Sequence, residues 1–244
     1  MEDSEIQRYS RQLLLNEVDF EGQEKLLSAA VMLVGVGGLG TTAAQLLASA
    51  GVGRLVLWDD DIVDLSNLPR QPLYSTDQVG MPKVEAAAIR LKAINPGCQI
   101  ETYQTRPDMD NAIDAVKLVD IILDCTDNYA SRCLINKLAV SNNKPLVVGA
   151  GVRFEGQVMT FQNQGGPCYG CLSSQLPIED VPCREVGVLN SLVSTIASLQ
   201  VQATLKHIIG INSIADGRLL MVDGKYDQFD TFNVTKNPGC SICS

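Results

Sequence analysis

The sequence is poor in histidine, with a single one in 244 residues, and it has no cluster of lysines and arginines. Its 19 basic residues are outnumbered by 28 acidic ones, for a net charge of −9. Nucleic acid and anionic membranes both need a basic face, so neither is expected as the main partner. A protein partner is left open by this charge. Long hydrophobic runs are missing too: the stretches Leu46–Val52 and Ile196–Ile211 are interrupted by Ser, Gly, Gln, Lys or His, and neither reads as a membrane span. The start, Met1-Glu2-Asp3-Ser4-Glu5, is acidic and lacks the basic opening and apolar run of a secretory signal, so a cytoplasmic location is the expectation. There is no internal repeat and no low-complexity tract.

Eight cysteines are present. Without a secretory signal, and in a chain this long, they read as metal ligands or buried thiols rather than as a disulfide scaffold.

The hydrophobic period changes along the chain. Glu5–Leu15 carries Ile6, Tyr9, Leu13 and Leu14 on one helical face, and a short helix is predicted over Gln23–Ala29. Ala30–Val34 is an unbroken apolar run, as expected of a strand covered on both faces. Further strands are predicted at Arg54–Trp58, Gln99–Tyr103, Asp120–Asp124 and Pro145–Val148. Helices are predicted at Thr41–Ala50, Lys83–Ile94, Asn111–Leu118 and Ser131–Ser141. This alternation implies an α/β fold, a doubly wound parallel sheet. Gln157–Phe161, Arg218–Val222 and Phe229–Val234 read as antiparallel strands, and Val188–Ile209 as one long helix. Gly165–Pro182 reads as a long loop without period. The simplest organisation is one domain over 1–244: N-terminal helices (1–29), a nucleotide-binding part (30–151), and an appended antiparallel portion with the loop and long helix (152–244).

Gly35, Gly37 and Gly40 fit G-x-G-x-x-G between a predicted strand and a predicted helix. Glycines there allow a tight turn and let a phosphate or ribose approach backbone N–H groups at a helix N-terminus. Asp59 ends the next strand, 19 residues after Gly40, where a carboxylate can accept from ribose hydroxyls. The alternative is that the glycines only permit close strand–helix packing. A hydride-transfer site, which an NAD enzyme would need, is not visible, and the only histidine, His207, reads as a packed or surface residue. Arg70 and Lys83 are the only basic residues between Arg54 and Arg90, and they flank a turn-rich segment. They can meet phosphate charge, Arg as a fork and Lys as a point charge, or be solvated surface groups. Asp127, after the strand ending at Asp124, is a candidate to hold Mg²⁺ or to cap the next helix.

Together these pieces resemble the MoeB/ThiF family of ubiquitin-activating-type adenylyltransferases. The resemblance rests on Arg8-Tyr9-Ser10-Arg11-Gln12, the Gly-x-Gly-Gly-x-Gly loop, Asp59-Asp60-Asp61 and Leu65-Ser66-Asn67-Leu68-Pro69-Arg70-Gln71. It continues through Gly80-x-Pro82-Lys83, Asp124-Cys125-Thr126-Asp127-Asn128 and two Cys-x-x-Cys pairs. It implies a Rossmann-like sheet continued by antiparallel strands, a homodimer, and ATP with Mg²⁺. It implies a nucleotide site on Gly35, Gly37, Gly38, Gly40, Asp59, Ser66, Asn67, Arg70, Lys83, Asp127 and Asn128. Within that site Asn67, Arg70 and Lys83 would contact phosphates and Asp127 would work with the metal. Arg11 would reach the phosphates from the neighbouring subunit. The implied reaction is adenylylation of the C-terminal glycine carboxylate of a ubiquitin-fold sulfur carrier ending in Gly-Gly. Asp59-Asp60-Asp61 looks like the thiamine-pathway branch, whereas Arg153-Phe154-Glu155-Gly156-Gln157 and Asn237-Pro238-Gly239-Cys240 look like the molybdopterin branch. No rhodanese-like segment follows Ser244, so sulfur would come from a separate donor such as a cysteine desulfurase. Other readings are a different carrier or peptide, an NAD(P)-dependent oxidoreductase, and a scaffold that only binds a ubiquitin-like partner.

Cys168-Tyr169-Gly170-Cys171 and Cys240-Ser241-Ile242-Cys243 form two C-x-x-C pairs, a donor set that suits tetrahedral Zn²⁺. The resemblance supports a structural zinc. Cys183 stands outside both pairs beside Arg184, where a lowered pKa would make it a nucleophile. Cys98, Cys125 and Cys133 read as buried thiols.

Overall fold

Alternate residues of the first strand, β1 (Ala30–Val34), enter two different cores, and this sets the architecture. Val31 and Leu33 face one layer, while Ala30, Met32 and Val34 face the other, as the period of two along a strand requires. The computed structural model describes residues 1–163, 165–175, 186–211 and 217–244. Its eight strands form one sheet in the order β3-β2-β1-β4-β5-β6-β7-β8. β2 (Arg54–Trp58), β3 (Gln99–Tyr103), β4 (Ile121–Asp124) and β5 (Leu146–Val152) run parallel with β1. β6 (Glu155–Phe161), β7 (Arg218–Asp223) and β8 (Gln228–Asn233) continue the sheet antiparallel.

The helices cover both faces. α1 (Asp3–Leu13) and α2 (Asp19–Ser28) precede the sheet. α3 (Gly38–Ala50) and α4 (Lys83–Ile94) lie on one side, joined there by the 20-residue α8 (Asn190–Ile209). α5 (Ile113–Lys117), α6 (Tyr129–Ser141) and α7 (Tyr169–Gln175) cover the other. Because β2 lies on one side of β1 and β4 on the other, the chain order reverses at β1. A crevice opens there at the carboxyl ends of the strands, the place where open α/β sheets hold ligands. α8 is seated on this region by close contact. A side chain at Gly149 would place its Cβ 2.3 Å from Gln200, and Gln200 Nε2 donates to the backbone O of Asp124 at 3.0 Å.

Several expectations need correction. The segment predicted as a loop over 165–182 contains α7, whose Cys171 packs into the core with the preceding Cys168; residues 176–182 lie outside the described residues. α3 begins at Gly38 rather than Thr41, so the glycine motif itself forms the helix's first turn. α1 ends at Leu13, which leaves Leu14 and Leu15 exposed, and Tyr9 is the buried residue of that helix. The alternation over Phe229–Val234 predicts a strand with one face inward, yet all six residues of β8 are exposed: it is the sheet's edge, and no layer covers it among the described residues.

Candidate nucleotide-binding cleft

The glycine loop leaves β1 through Gly35, whose φ of +87° only glycine adopts freely. A Cβ there would also lie 2.9 Å from the Cys125 carbonyl oxygen. Gly37 is the N-cap of α3 and offers no side chain, and no acidic residue sits in the first turn. The helix therefore presents bare N–H groups and the positive end of its dipole to the crevice. Gly35, Gly37 and Gly38 line this cleft, whose volume is about 630 Å³. Gly40 does not line it. Its Cβ would sit 2.0 Å from Gly35 O, so this glycine serves the packing of the loop on itself, the alternative left open for the motif.

Asp59 closes β2 at the cleft. Its Oδ2 accepts from Val36 N–H at 2.6 Å and its Oδ1 from Asp61 N–H at 2.9 Å, which ties the glycine loop to the second strand. Burial pushes its pKa above the usual carboxylate value, against the pull of the Lys83 charge. Lys83 is buried at the first position of α4, and its Nζ pairs with Asp61 Oδ2 at 2.8 Å. That ammonium is thus fixed at the cleft wall with two donors to spare. The Tyr74 hydroxyl, 2.7 Å from Val36 O and 3.2 Å from Lys83 O, braces the glycine loop against the start of α4.

Ser66, Asn67 and Arg70 lie on a 3-10 helix, Leu65–Arg70, capped by Asp64, whose carboxylate accepts from Ser66 N–H at 2.8 Å. Asn67 Oδ1 accepts from Gln71 Nε2 at 3.1 Å, and Arg70 Nη1 donates to Ser66 O at 3.1 Å. The segment is clamped onto the first residue of α8 by Asn190 Nδ2, which donates to Pro69 O at 3.1 Å. Gln71 is buried and its Oε1 has no partner among the described residues.

Across the cleft, Asp124 ends β4. It is fully buried, and its Oδ1 accepts from Thr126 N–H at 2.9 Å and Thr126 Oγ1–H at 2.6 Å. Of the two residues that could cap α6, Asn128 does so: its Oδ1 accepts from Ser131 N–H at 2.9 Å. Asp127 is exposed at the cleft and touched by Asn128 Nδ2 at 3.5 Å, which leaves its carboxylate available to a ligand. Asp59, Ser66, Asn67, Arg70, Lys83, Asp127 and Asn128 are therefore brought together with three of the four glycines. Arg11 is not: it lies exposed on α1 and does not line the cleft of its own chain. Arg106 and Arg132, which the sequence alone does not single out, also line the cleft. Their signal is positional: Arg106 stands three residues past β3, and Arg132 in the first turn of α6, the helix that follows β4.

The four paired cysteines gather elsewhere, under α7. Cys168, Cys171, Cys240 and Cys243 have their Sγ atoms within 4.8 Å of one another, with Cys168–Cys240 at 3.8 Å and Cys171–Cys243 at 3.4 Å. A tetrahedral Zn–S₄ centre needs S···S spacings of about 3.8 Å, so the set fits this geometry. Asn136 Nδ2 donates to Cys168 Sγ at 3.5 Å and Asn237 N–H to Cys171 Sγ at 3.4 Å, partners that favour thiolates. Cys98 and Cys125 are buried, and burial pushes the Cys98 thiol up to about 12. Cys133 is half-buried, and Cys183 lies outside the described residues. His207 is half-buried on α8, away from the cleft lining.

Comparison with known proteins gives a consistent result. A family profile described as the ThiF family matches residues 9–242. The chain is 43% identical over 244 residues to the molybdopterin-synthase adenylyltransferase of Escherichia coli (strain K12), covering 100% of this chain and 98% of that protein. It is 42% identical to the sulfur carrier protein ThiS adenylyltransferase of the same organism, covering 100% and 97%. Among solved structures it is similar to the crystal structure of PaaA, with a TM-score of 0.81 and 27% identity over 97% of this chain and 76% of that one.

Proposed function

The chain belongs to the ThiF family, and from that premise we propose that it adenylylates the C-terminal glycine carboxylate of a ubiquitin-fold sulfur carrier protein with ATP. The observation that carries this reading is the cleft: bare helix N–H groups, Arg70, Lys83 and an available Asp127 face one cavity that no histidine lines among the described residues. Such a site suits a reaction between two anions. A carboxylate oxygen attacks the α-phosphorus, a new P–O bond forms, the bond to the β-phosphate bridging oxygen breaks, and pyrophosphate leaves. No general base is required, because the nucleophile is already ionised at neutral pH. What the protein must supply is alignment and charge.

Asp59 is placed to accept from ribose hydroxyls with the lone pairs its two backbone bonds leave free. Asn67, Arg70 and Lys83 meet the phosphates. Asp127 would hold Mg²⁺, which would supply positive charge to offset that of the phosphates. Ser66, held by Asp64, and Asn128, at the start of α6, shape the two rims. The four thiols under α7 would hold a structural Zn²⁺. Residues 1–244 work as one unit, and a homodimer would bring Arg11 of a second copy to the site. A separate sulfur donor and a cytoplasmic setting complete the proposal; among the described residues no helix is long and apolar enough to cross a membrane. Molybdopterin and thiamine relatives match almost equally, at 43% and 42%, so the pathway follows from the carrier.

The test is ATP–pyrophosphate exchange in the presence of carrier. Arg70→Ala and Asp127→Ala should each leave a folded protein and remove exchange by about a thousandfold or more. Normal exchange in either variant would overturn the assignment.

A further inference from the structure

Three residues of α6, Tyr129, Arg132 and Asn136, are spaced three and four apart and so share one face of the helix. All three meet Tyr169, the buried residue that follows Cys168. The Tyr129 and Tyr169 rings lie 6.3 Å apart. Asn136 Oδ1 accepts from Tyr169 N–H at 3.0 Å, while its Nδ2 donates to Cys168 Sγ at 3.5 Å. The Arg132 guanidinium lies beside the Tyr169 side chain. At its other end Arg132 reaches the cleft: Nη2 donates to Thr126 O at 3.0 Å, in the turn that carries Asp127. Arg132 also stands near the fully buried Asp124, whose Oδ1 anchors both the N–H and the hydroxyl of Thr126. Arg132 Nε and Asp124 Oδ2 are buried and have no hydrogen-bond partner among the described residues. A fully buried carboxylate is costly unless a nearby charge offsets it, and the half-buried Arg132 supplies that charge.

From this arrangement we infer that Arg132 is a positioning residue for the nucleotide site: braced by Tyr169, it holds the Asp124–Asp127 turn and so ties the cleft to the four-thiol cluster through one helix face. This deepens the adenylyltransferase reading and rests on it. Arg132 acts on MgATP through the turn it holds, and Tyr169 acts through Arg132.

Two variants test it, each with metal content measured alongside. Tyr169→Phe keeps the ring and removes only the hydroxyl; Arg132→Lys keeps the charge and removes the planar fork. Both should fold and retain the wild-type metal content. Both should bind MgATP about tenfold more weakly by calorimetry, as loss of one hydrogen bond to a charged group implies. In exchange assays KM for MgATP should rise by a similar factor while kcat stays within about twofold, a split that a general loss of stability would not produce. Unchanged MgATP affinity in a folded, metal-loaded Tyr169→Phe protein would overturn the inference, as would a loss confined to kcat. If Arg132→Lys fails to fold, Tyr169→Phe alone decides. A wild-type protein that binds MgATP but gives no exchange with any carrier sinks the adenylyltransferase reading, and the affinity comparison still decides the role of Arg132. A wild-type protein that binds no MgATP sinks both.

Discussion

His207 and Asp124 are titratable groups that burial drives in opposite directions. Burial lowers the His207 pKa from its ordinary 6.5, because the charged imidazolium is the form that loses hydration. The unfolded chain therefore takes up that proton first. The contribution to stability is fully present above pH 6.5 and is lost as pH falls through the depressed folded value. Asp124 has its pKa raised by burial, so its ionised form costs stability above the folded value, and acid relieves that cost. The two signs differ, and removing the histidine isolates its own share. The melting temperature of the wild type, followed from about pH 7.5 to about pH 5, should fall more steeply than that of His207→Gln. Parallel slopes would show that this histidine is not desolvated. At this same scale the sequence pointed to Asp59 and Asp127 because each stands just beyond an apolar strand, to Arg70 and Lys83 because they are the only basic residues flanking a turn-rich segment, and to Asn67 through the family resemblance. It did not disclose Arg132, which reads as an ordinary cation in the first turn of a helix. Only the fold reveals that it stands between a buried carboxylate and a buried tyrosine. Gly40 shows the opposite case, a motif residue whose role is contact with Gly35 rather than with ligand.

Among the elements, four of the five parallel strands and α4 were legible almost to the residue, whereas β5 runs on to Val152, four residues past its predicted end. Ala30–Val34, Arg54–Trp58, Gln99–Tyr103 and Lys83–Ile94 stand where the hydrophobic pattern put them. β1 and β2, covered on both faces, carry nearly unbroken apolar runs, and α4 is bounded by Pro82 and by Asn95-Pro96-Gly97. α7 was not legible. Seven residues, Tyr-Gly-Cys-Leu-Ser-Ser-Gln, carry too little period and too weak a propensity. What holds them is tertiary: Asn136 at the helix start, and Cys168 and Cys171 facing Cys240 and Cys243. The 3-10 helix at Leu65–Arg70 was readable only as turns, since its order comes from the Asp64 cap and from Asn190 on distant α8. If the cluster binds zinc, it staples the C-terminal segment to α7. Cys240→Ser should then lose the metal found in the wild type and melt about 10 °C lower or more, as loss of several kcal/mol of binding free energy requires. Equal melting temperatures, or a wild type that purifies without metal, would remove zinc from the account.

For the molecule as a whole, the exposed residues at the N-terminal end carry an argument about assembly. Leu14, Leu15 and Phe20 are 72%, 53% and 54% exposed, and they follow closely on Arg11, which does not reach the cleft of its own chain. Should Arg11 serve a partner's site, two inactive variants must complement each other. In a mixed dimer of Arg11→Ala and Asp127→Ala chains, one site regains both groups. Subunit exchange between equal amounts should restore about a quarter of wild-type activity, from half the dimers with one competent site each. No recovery from mixtures shown to exchange subunits would place Arg11 outside the mechanism.

The Gly35–Gly40 loop and the charges around it form the site proposed to activate a carboxylate with ATP. This proposal is met most directly by pyrophosphate exchange into ATP, measured with purified protein, MgATP and each candidate sulfur carrier ending in Gly-Gly. The expected result is exchange that depends on one carrier and disappears when that carrier's C-terminal Gly-Gly is removed. Exchange that is absent with every carrier, or that proceeds equally well without a terminal glycine carboxylate, would contradict it.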